Sequence, residues 1–374
     1  MFLADRFPRR RFFALGAIAL ATACRRGAGS PPTETASTAT PPALGPTPAS
    51  GQLEAVSVAL DWYPWSNHTG LLMAQERGFF RGQGLEVTLD VPANPKDVLK
   101  LVATGRNTFG ISYQTDVLLA RAEGIPTVSI AALVQHPLNS VMALERSGIT
   151  RPRDLVSKQV GYPGLPSDEA LLATMLETDG AHLDDVKLVN VGYDLVRALL
   201  SGQVDAVIGA YWVHESILIE QQGERPVILR VEQWGVPDFY ELVMVTSEQQ
   251  VREQPDRVQR FVGAMIQGYR EAAADLDGAV QLLVRKYPET NQTLEERGIR
   301  LLAPLWTEGV PIFGWQEEKR WTDYAAWMRS RGLLHGDLDA RLAFTNRFVE
   351  AARESPEALT LCLSAPTKYR TLAA

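Results

Sequence analysis

The sequence has little cysteine, since only Cys24 and Cys362 occur among its 374 residues. No cysteine and histidine spacing typical of a zinc site is present. The chain also lacks a Walker loop and a Gly-x-Ser-x-Gly nucleophile elbow, so two common catalytic signatures are missing. Its net charge of −7 offers no basic surface for nucleic acid. We therefore expect neither a metal site, nor a cofactor, nor a nucleic-acid partner.

Long apolar runs are also missing, because no segment beyond the N-terminus is apolar enough to span a membrane. At the N-terminus, three arginines at residues 9–11 precede a short apolar stretch at 14–23, which is typical of a signal peptide. Cys24 follows Leu-Ala-Thr-Ala, similar to a bacterial lipoprotein cleavage box. We predict a lipoprotein signal peptide at 1–24 with lipid on Cys24. Ordinary signal-peptidase cleavage is the alternative, and the export route stays open.

Bulky apolar residues are scarce in residues 25–52, which consist mainly of Pro, Thr, Ala, Ser and Gly. Such a segment cannot bury enough surface to offset the entropy of ordering it. We predict a disordered linker there. The remaining chain is too long for one typical core and suits two lobes.

Strand-like and helix-like segments alternate from residue 53 to about 229, which predicts α/β lobes with parallel sheets. From about residue 240 the pattern becomes helical. We predict lobe 1 at 53–140 plus 241–350, lobe 2 at 141–240, and a tail at 351–374, with crossovers near residues 140 and 240. The architecture expected is a hinged clam-shell of two doubly wound lobes. One long helix carries a stripe predicted to be core: Val258, Phe261, Val262, Met265 and Tyr269.

The most informative stretch is residues 61–70, Asp-Trp-Tyr-Pro-Trp-Ser-Asn-His-Thr-Gly. It lies between a predicted strand and a predicted helix and combines three aromatic rings with amide and imidazole groups. Aromatic faces with a few fixed polar groups suit a planar heterocyclic ligand. The alternative is that these rings only fill a core.

Ligands of open α/β sheets bind outside the carboxyl ends of the strands, and nearly every predicted strand end here carries an aromatic residue. The candidate ligand-binding residues are Trp62, Trp65, Asn67, His68, Tyr113, Tyr162, Gly164, Tyr193, Tyr211, Trp212 and Glu215. We expect Tyr63 and Phe239 to cap the cores instead. Turn formation for Asn67, a helix start for His68, and favourable first-turn placement for Glu215 are the structural alternatives.

Basic residues are not found at these predicted strand ends. An anionic ligand would need a guanidinium or ammonium group nearby. The pattern therefore favours a neutral or weakly basic ring that donates a hydrogen bond to Glu215.

Several segments resemble the thiamine-pyrimidine and riboflavin type of periplasmic binding proteins, a branch related to fungal thiamine-pyrimidine synthases. They are residues 61–70, Ala-Gln-Glu-Arg-Gly-Phe-Phe at 74–80, Phe-Gly-Ile-Ser at 109–112, Gly-Tyr-Pro-Gly at 161–164 and Gly-Ala-Tyr-Trp-Val-His-Glu at 209–215. The resemblance implies a type II periplasmic-binding-protein clam-shell. It also implies capture of a small vitamin-like molecule outside the cytoplasm and delivery to an ABC permease and its ATPase.

In that family the ligand is formyl-aminopyrimidine or riboflavin, with its ring stacked on Trp and Tyr and bonded by Asn and Glu. The resemblance carries these roles to Trp62, Asn67, Tyr162, Tyr193, Tyr211 and Glu215. Trp65 departs from the family, which often has Asn at that place. An extra indole favours a larger ligand, so riboflavin is the first expectation and formyl-aminopyrimidine the alternative.

Other functions fit the sequence less well. The fungal synthases use a histidine in this loop and a cysteine cluster for iron, and this chain has His68 without the cluster, so we expect no enzyme. A sulfonate binder would need the missing basic residues, and a purely structural lipoprotein would not need a ring-lined cleft. We expect a monomer, lipid-anchored at the outer face of the cell membrane.

Overall fold

The protein, seen here in a computed structural model, is described over residues 53–353. These residues lie within one compact unit that contains two five-stranded sheets. The predicted signal peptide, the linker, Cys24 and Cys362 lie outside the described residues. Within the described range, no helix is both long and apolar enough to cross a bilayer.

Ten strands build the two sheets of the described range. They are β1 Glu54–Ala59, β2 Leu85–Asp90, β3 Phe109–Ser112, β4 Thr127–Val134, β5 Asn139–Leu144, β6 Gln159–Tyr162, β7 Lys187–Asn190, β8 Ala206–Tyr211, β9 Pro226–Arg230 and β10 Leu242–Ser247. Strand and helix alternate along the chain from β1 to β4 and again from β6 to β9, as the sequence pattern predicts, whereas β5 follows β4 directly.

The two sheets share one strand order. The first is β2-β1-β3-β10-β4 and the second is β7-β6-β8-β5-β9. In each sheet one strand runs antiparallel to both neighbours, β10 in the first and β5 in the second. The chain reaches β5 from the first sheet and β10 from the second, so it crosses twice. The predicted two-lobe α/β fold is confirmed, with lobe 1 built on the first sheet and lobe 2 on the second.

Helices cover the sheets and dominate the C-terminal part. They are α1 Thr69–Glu76, α2 Phe79–Gly82, α3 Val98–Ala103, α4 Gln114–Ala122, α5 Pro166–Thr178, α6 Leu195–Leu200, α7 Glu215–Gln221, α8 Glu248–Glu253, α9 Pro255–Ala274, α10 Leu276–Lys286, α11 Gln292–Leu302, α12 Glu318–Ser330 and α13 Arg347–Arg353. The sequence predicts a helix over residues 68–80 that stops near Gly78, and the structure divides this stretch into α1 and α2 at that point. The break lies at Gly78, whose φ of 72° is a conformation that glycine adopts without strain.

The core of lobe 1 forms around α9. All five residues of its predicted stripe are buried, which confirms that they are core residues. Within this core the ring of Phe261 stacks on Phe109, with 3.8 Å between centroids, and on Phe80, with 5.3 Å. Phe239 is buried against Tyr324, as expected for a core cap. Tyr63 is 69% exposed, so its assignment as a core cap is wrong.

The two crossing segments are bonded to each other where they pass between the lobes. The ring nitrogen Nδ1 of His136 lies 3.0 Å from the Asp238 carboxylate. The backbone N–H of Leu138 donates to Glu241 over 2.7 Å. These contacts join the segment before β5 to the segment before β10. We call these two hydrogen-bonded segments, residues 135–138 and 235–241, the hinge.

Candidate functional site

Residues that follow the parallel strands of the two lobes meet at one cleft. The ring of Trp62, which follows β1, lies 5.8 Å from the ring of Tyr193, which follows β7. Trp65, in the same loop as Trp62, lies 6.5 Å from Tyr211 at the end of β8. The antiparallel strands begin at this edge, with Asn139 opening β5 and Glu241 preceding β10. The cleft is therefore lined by the ends of parallel strands and the starts of antiparallel ones.

The loop after β1 is held by a buried Asp61–His68 pair. The Nε2 atom of His68 lies 2.8 Å from Asp61, and its Nδ1 atom accepts the backbone N–H of Trp65 over 3.1 Å. Both ring nitrogens are thus used within the loop, and the side chain is fully buried. The imidazole therefore fixes the loop, and this arrangement argues against a direct ligand contact by His68.

In the turn that contains Asn67, neighbouring groups are hydrogen-bonded, but the Asn67 side chain is not bonded to any residue that the structure describes. The backbone N–H of Ser66 donates to the buried Glu295 of α11 over 2.7 Å, and the Tyr269 hydroxyl donates to the backbone carbonyl of Asn67 over 2.7 Å. The side chain of Asn67 is fully buried, yet neither its nitrogen nor its oxygen has a hydrogen-bond partner among residues 53–353. Buried polar groups are nearly always bonded, so this amide is the clearest place for a ligand contact.

Trp65 fills space between the lobes. Only 8% of it is exposed, and besides Tyr211 its ring lies 6.3 Å from the ring of His214. From the sequence, this extra indole predicts a larger ligand. In the structure the indole lies at the junction between the lobes, where it takes up room.

Two pairs, each of a half-buried tyrosine and a buried carboxyl group, lie at the cleft, one in lobe 1 and one between lobe 2 and the hinge. The Tyr113 hydroxyl lies 3.4 Å from Asp61, and the Tyr211 hydroxyl donates to Glu241 over 2.7 Å. Burial and the nearby charges of Asp61 and Glu241 raise the pKa of Tyr113. Burial and Glu241 likewise raise the pKa of Tyr211. Both phenols therefore stay protonated and remain hydrogen-bond donors.

Two carboxyl groups in this cleft resist ionisation. Burial raises the pKa of Glu241 to about 7, although Tyr211 and the Leu138 N–H favour the charged form. Burial also raises the pKa of Asp168 to about 6. One oxygen of Asp168 accepts from Asn139 over 3.1 Å, while the other is buried without a partner among the described residues. Asp168 thus offers an open acceptor from lobe 2.

The raised pKa of Glu241 gives the unliganded protein a pH-dependent stability. The unfolded chain loses this proton near the usual pKa of 4.5, whereas the folded chain keeps it up to about 7. The folded state therefore binds more protons between these values, so the free energy of unfolding falls as pH rises through this window, by on the order of 1–3 kcal/mol. Thermal melts of the wild type and Glu241→Gln across this pH range measure the effect. The variant should show a flatter profile, and an equally steep profile would contradict the assignment.

Exposed rings form the mouth of the cleft. Trp62 is 41% exposed and Tyr193 63% exposed, and Tyr63 lies edge-on to Trp62 at 5.8 Å. Tyr162 is half-buried, and a hydrogen bond to Glu169 raises its pKa. Gly164 has a φ of 86°, and a Cβ there would come within 2.5 Å of Asn190, so the glycine allows the loop after β6 to pass close to β7.

The residues at and after the end of β8 form hydrogen bonds and ring contacts with other parts of the protein. Glu215 accepts the Tyr211 N–H over 2.8 Å and contacts His214 at 3.1 Å. The Trp212 indole N–H donates to the carbonyl of Pro137 over 3.2 Å, and Arg230 stacks over the Trp212 ring at 4.6 Å. Trp212 is thus packed at the hinge, which argues against the ligand contact assigned to it.

Arg230 also corrects the expectation that no basic residue lies at a strand end. It is the last residue of β9, and it pairs with Glu232 at 2.5 Å. Arg320 of α12 approaches the hinge and pairs with Asp238 at 3.1 Å. Each guanidinium therefore has its own carboxylate, so neither is a free anion-binding group.

Sequence reasoning assigned no site role to Asp61, Asn139, Asp168 or Glu241. Asn139 and Glu241 stand at the starts of antiparallel strands, which the rule that ligands bind at carboxyl ends does not cover. Asp61 comes two residues after the end of β1, so the same rule does cover it. Asp168 lies in the first turn of α5, where an acidic residue is common. An aspartate at that position therefore does not by itself indicate a ligand-binding role.

A family model described as NMT1/THI5 like matches residues 65–279 of the chain. The formylaminopyrimidine-binding protein of Halalkalibacterium halodurans is 36% identical, over 79% of this chain and 90% of its own. The riboflavin-binding protein RibY of Chloroflexus aurantiacus is 28% identical, over 89% of this chain and 95% of its own. A 4-amino-5-hydroxymethyl-2-methylpyrimidine phosphate synthase of Saccharomyces cerevisiae, THI13, is 27% identical, over 64% of this chain and 73% of its own.

Among solved structures, the alkanesulfonate-binding protein SsuA of Xanthomonas axonopodis pv. citri, bound to MOPS, superposes with a TM-score of 0.60. It is 16% identical and covers 79% of this chain and 99% of its own. At that identity the likeness concerns the fold alone, and it is the fold of a periplasmic binding protein.

Proposed function

The chain belongs to the NMT1/THI5-like family, and from this premise we propose that it is the binding protein of an ABC importer for an aminopyrimidine of the thiamine-precursor class. It captures the ligand between its two lobes and presents it to a permease. The relative with 36% identity, a formylaminopyrimidine-binding protein, supports this ligand class.

The observation that carries the proposal is the unpartnered amide of Asn67. An aminopyrimidine has ring nitrogens that accept hydrogen bonds beside an amino group that donates them. An asparagine side chain offers the matching donor and acceptor. Asp168 adds an open carboxyl oxygen from lobe 2, so the ligand would be bonded from both lobes at once.

The size of the cleft separates this ligand from riboflavin. Trp65 made riboflavin the first expectation from sequence, because an extra ring suggested a broader stacking surface. In the structure the indole lies near Tyr211 and His214, where it takes up room that a three-ring flavin would need. A single pyrimidine ring needs less room, so the position of Trp65 favours the smaller ligand.

Riboflavin remains a second candidate because of the rings at the mouth. Trp62 and Tyr193 leave large exposed faces on opposite lobes, and such a pair suits stacking of a flat, extended ring. If riboflavin were the ligand, these outer rings would carry most of the contact.

The role of a binding protein places the folded part outside the cytoplasm. We propose that Cys24 anchors it to the cell membrane through a lipid and that residues 25–52 tether it. We also propose a monomer without catalytic activity, although a relative is named as a synthase. A sulfonate ligand is disfavoured because Arg230 and Arg320 both have carboxylate partners.

Ligand-induced thermal stabilisation of the wild type and Trp62→Ala tests the proposal. A ligand that binds only the folded state raises the melting temperature. Formyl-aminopyrimidine should stabilise both proteins nearly equally, because Trp62 is half-exposed and lies at the mouth. Stabilisation by riboflavin alone, lost in Trp62→Ala, would favour the second candidate. No stabilisation by either compound would refute the proposed ligand class.

A further inference from the structure

Three buried carboxyl groups converge on the cleft. Asp61 and Asp168 are each 3% exposed, and Glu241 is 5% exposed. Each is bonded to a residue at the cleft edge: Asp61 lies 3.4 Å from the Tyr113 hydroxyl, Glu241 accepts from Tyr211, and Asp168 accepts from Asn139. They come from lobe 1, the hinge and lobe 2, which are the three parts of the protein that border the cleft.

Positive charge does not balance this group. Asp61 bonds to His68, but Glu241 bonds to a phenol and a backbone N–H. Asp168 bonds to the neutral amide of Asn139. No lysine or arginine of residues 53–353 forms an ion pair with either Asp168 or Glu241. The nearby arginines at the hinge are paired with carboxylates of their own.

A phosphate ester is expected to bind weakly in this cleft. Phosphate groups are bound through guanidinium forks, ammonium groups or rows of backbone N–H donors. Here the buried carboxyl groups of the cleft are acceptors, and the two phenols beside them already contact Asp61 and Glu241. A dianion brought into contact with buried carboxyl groups is repelled and loses its water without replacement.

We propose that the cleft rejects phosphate esters of its ligand and that Asp168 and Glu241 are the residues that determine this selectivity. The inference rests on the proposed function, because it concerns the ligand of the same site. The protein would then bind only the free alcohol or amine form of the vitamin precursor. It would not bind the phosphorylated form.

Isothermal titration of the protein with three probes tests this at a pH of about 8, where both carboxyl groups are ionised. The probes are 4-amino-5-hydroxymethyl-2-methylpyrimidine, its phosphate ester and its acetate ester. Like-charge contacts cost several kcal/mol, so the phosphate ester should bind at least about 100-fold more weakly than the alcohol. The acetate ester, which is uncharged, should lose far less affinity. Riboflavin and its 5′-phosphate form a second pair in the same experiment.

The outcomes distinguish the selectivity against phosphate esters from the proposed binding function. Binding of a free form together with equal binding of its phosphate overturns the selectivity and leaves the proposed function intact. Equal loss for the acetate and phosphate esters shows exclusion by size and also overturns it. Failure of every free form refutes the proposed function, and the inference falls with it.

Variants test the two residues directly. Asp168→Asn combined with Glu241→Gln removes both charges and keeps hydrogen-bonding groups at both positions. The gap between alcohol and phosphate should shrink by at least about tenfold, because tenfold corresponds to about 1.4 kcal/mol and like-charge contacts cost that much or more. Asp184→Asn, on an exposed turn, is the matched control and should leave the gap unchanged. An undiminished gap in the folded double variant would overturn the proposal, and if that variant does not fold, the wild-type comparison of the two esters decides.

Discussion

Asn67→Leu is expected to lose roughly 100-fold or more in affinity for the aminopyrimidine, because two hydrogen bonds are lost and each unpaired polar group costs about 1–3 kcal/mol. The same substitution should raise the free energy of unfolding without ligand. The amide of Asn67 is fully buried with no partner among the described residues, so the folded protein gains about 1 kcal/mol when an apolar side chain of similar size replaces it. Calorimetric titration and denaturant unfolding measure the two effects.

Asn107→Leu is the matched control for this variant. Asn107 is also a buried asparagine of lobe 1, with 7% exposure, but its amide donates to Asp90 over 2.8 Å. Its replacement should lower stability and leave affinity unchanged. If Asn67→Leu binds like the wild type, or is destabilised as much as Asn107→Leu, the amide is not a ligand contact.

Trp65→Ala is expected to destabilise the protein by about 3–5 kcal/mol, the usual cost of truncating a buried large aromatic residue. It should also change ligand preference. The lost indole removes a stacking surface worth about 1 kcal/mol from the pyrimidine and opens space between Tyr211 and His214. The ratio of riboflavin to aminopyrimidine affinity should therefore rise by about tenfold or more.

Phe80→Ala serves as the control for lost stability. Phe80 is 2% exposed and stacks on Phe261 in the core of lobe 1, so its truncation should destabilise the protein by a similar amount. Its ligand preference should match that of the wild type. An unchanged preference in Trp65→Ala would show that the indole neither stacks on the ligand nor limits the size of the cleft.

The fold could be read from the sequence because its signals are local. Alternating apolar strands and helices, with glycines between them, predict two α/β lobes, and the α9 stripe of Val258 and Phe261 predicts the core. The sequence also indicates the stop near Gly78, because glycine commonly ends a helix. It does not predict α2 as a separate helix, since four residues are too few to show a helical period.

The site could be read only in part. Trp62, Asn67 and Tyr211 follow from strand ends and from the family resemblance, and the structure brings all three to the junction between the lobes. Glu241 could not be found in this way, since it precedes an antiparallel strand that returns from the other lobe. The role of His68 depends on Asp61 across the same turn, and the position of Trp65 depends on Tyr211, more than a hundred residues away. Such pairings are fixed by tertiary packing and not by sequence pattern.

The most direct test of the account is calorimetric titration of the purified protein with formyl-aminopyrimidine and, separately, with riboflavin. We expect one site per chain that binds formyl-aminopyrimidine at least about tenfold more tightly than riboflavin. We also expect the purified protein to be colourless. A yellow protein that carries bound flavin, or tight riboflavin binding without measurable binding of formyl-aminopyrimidine, would contradict this expectation.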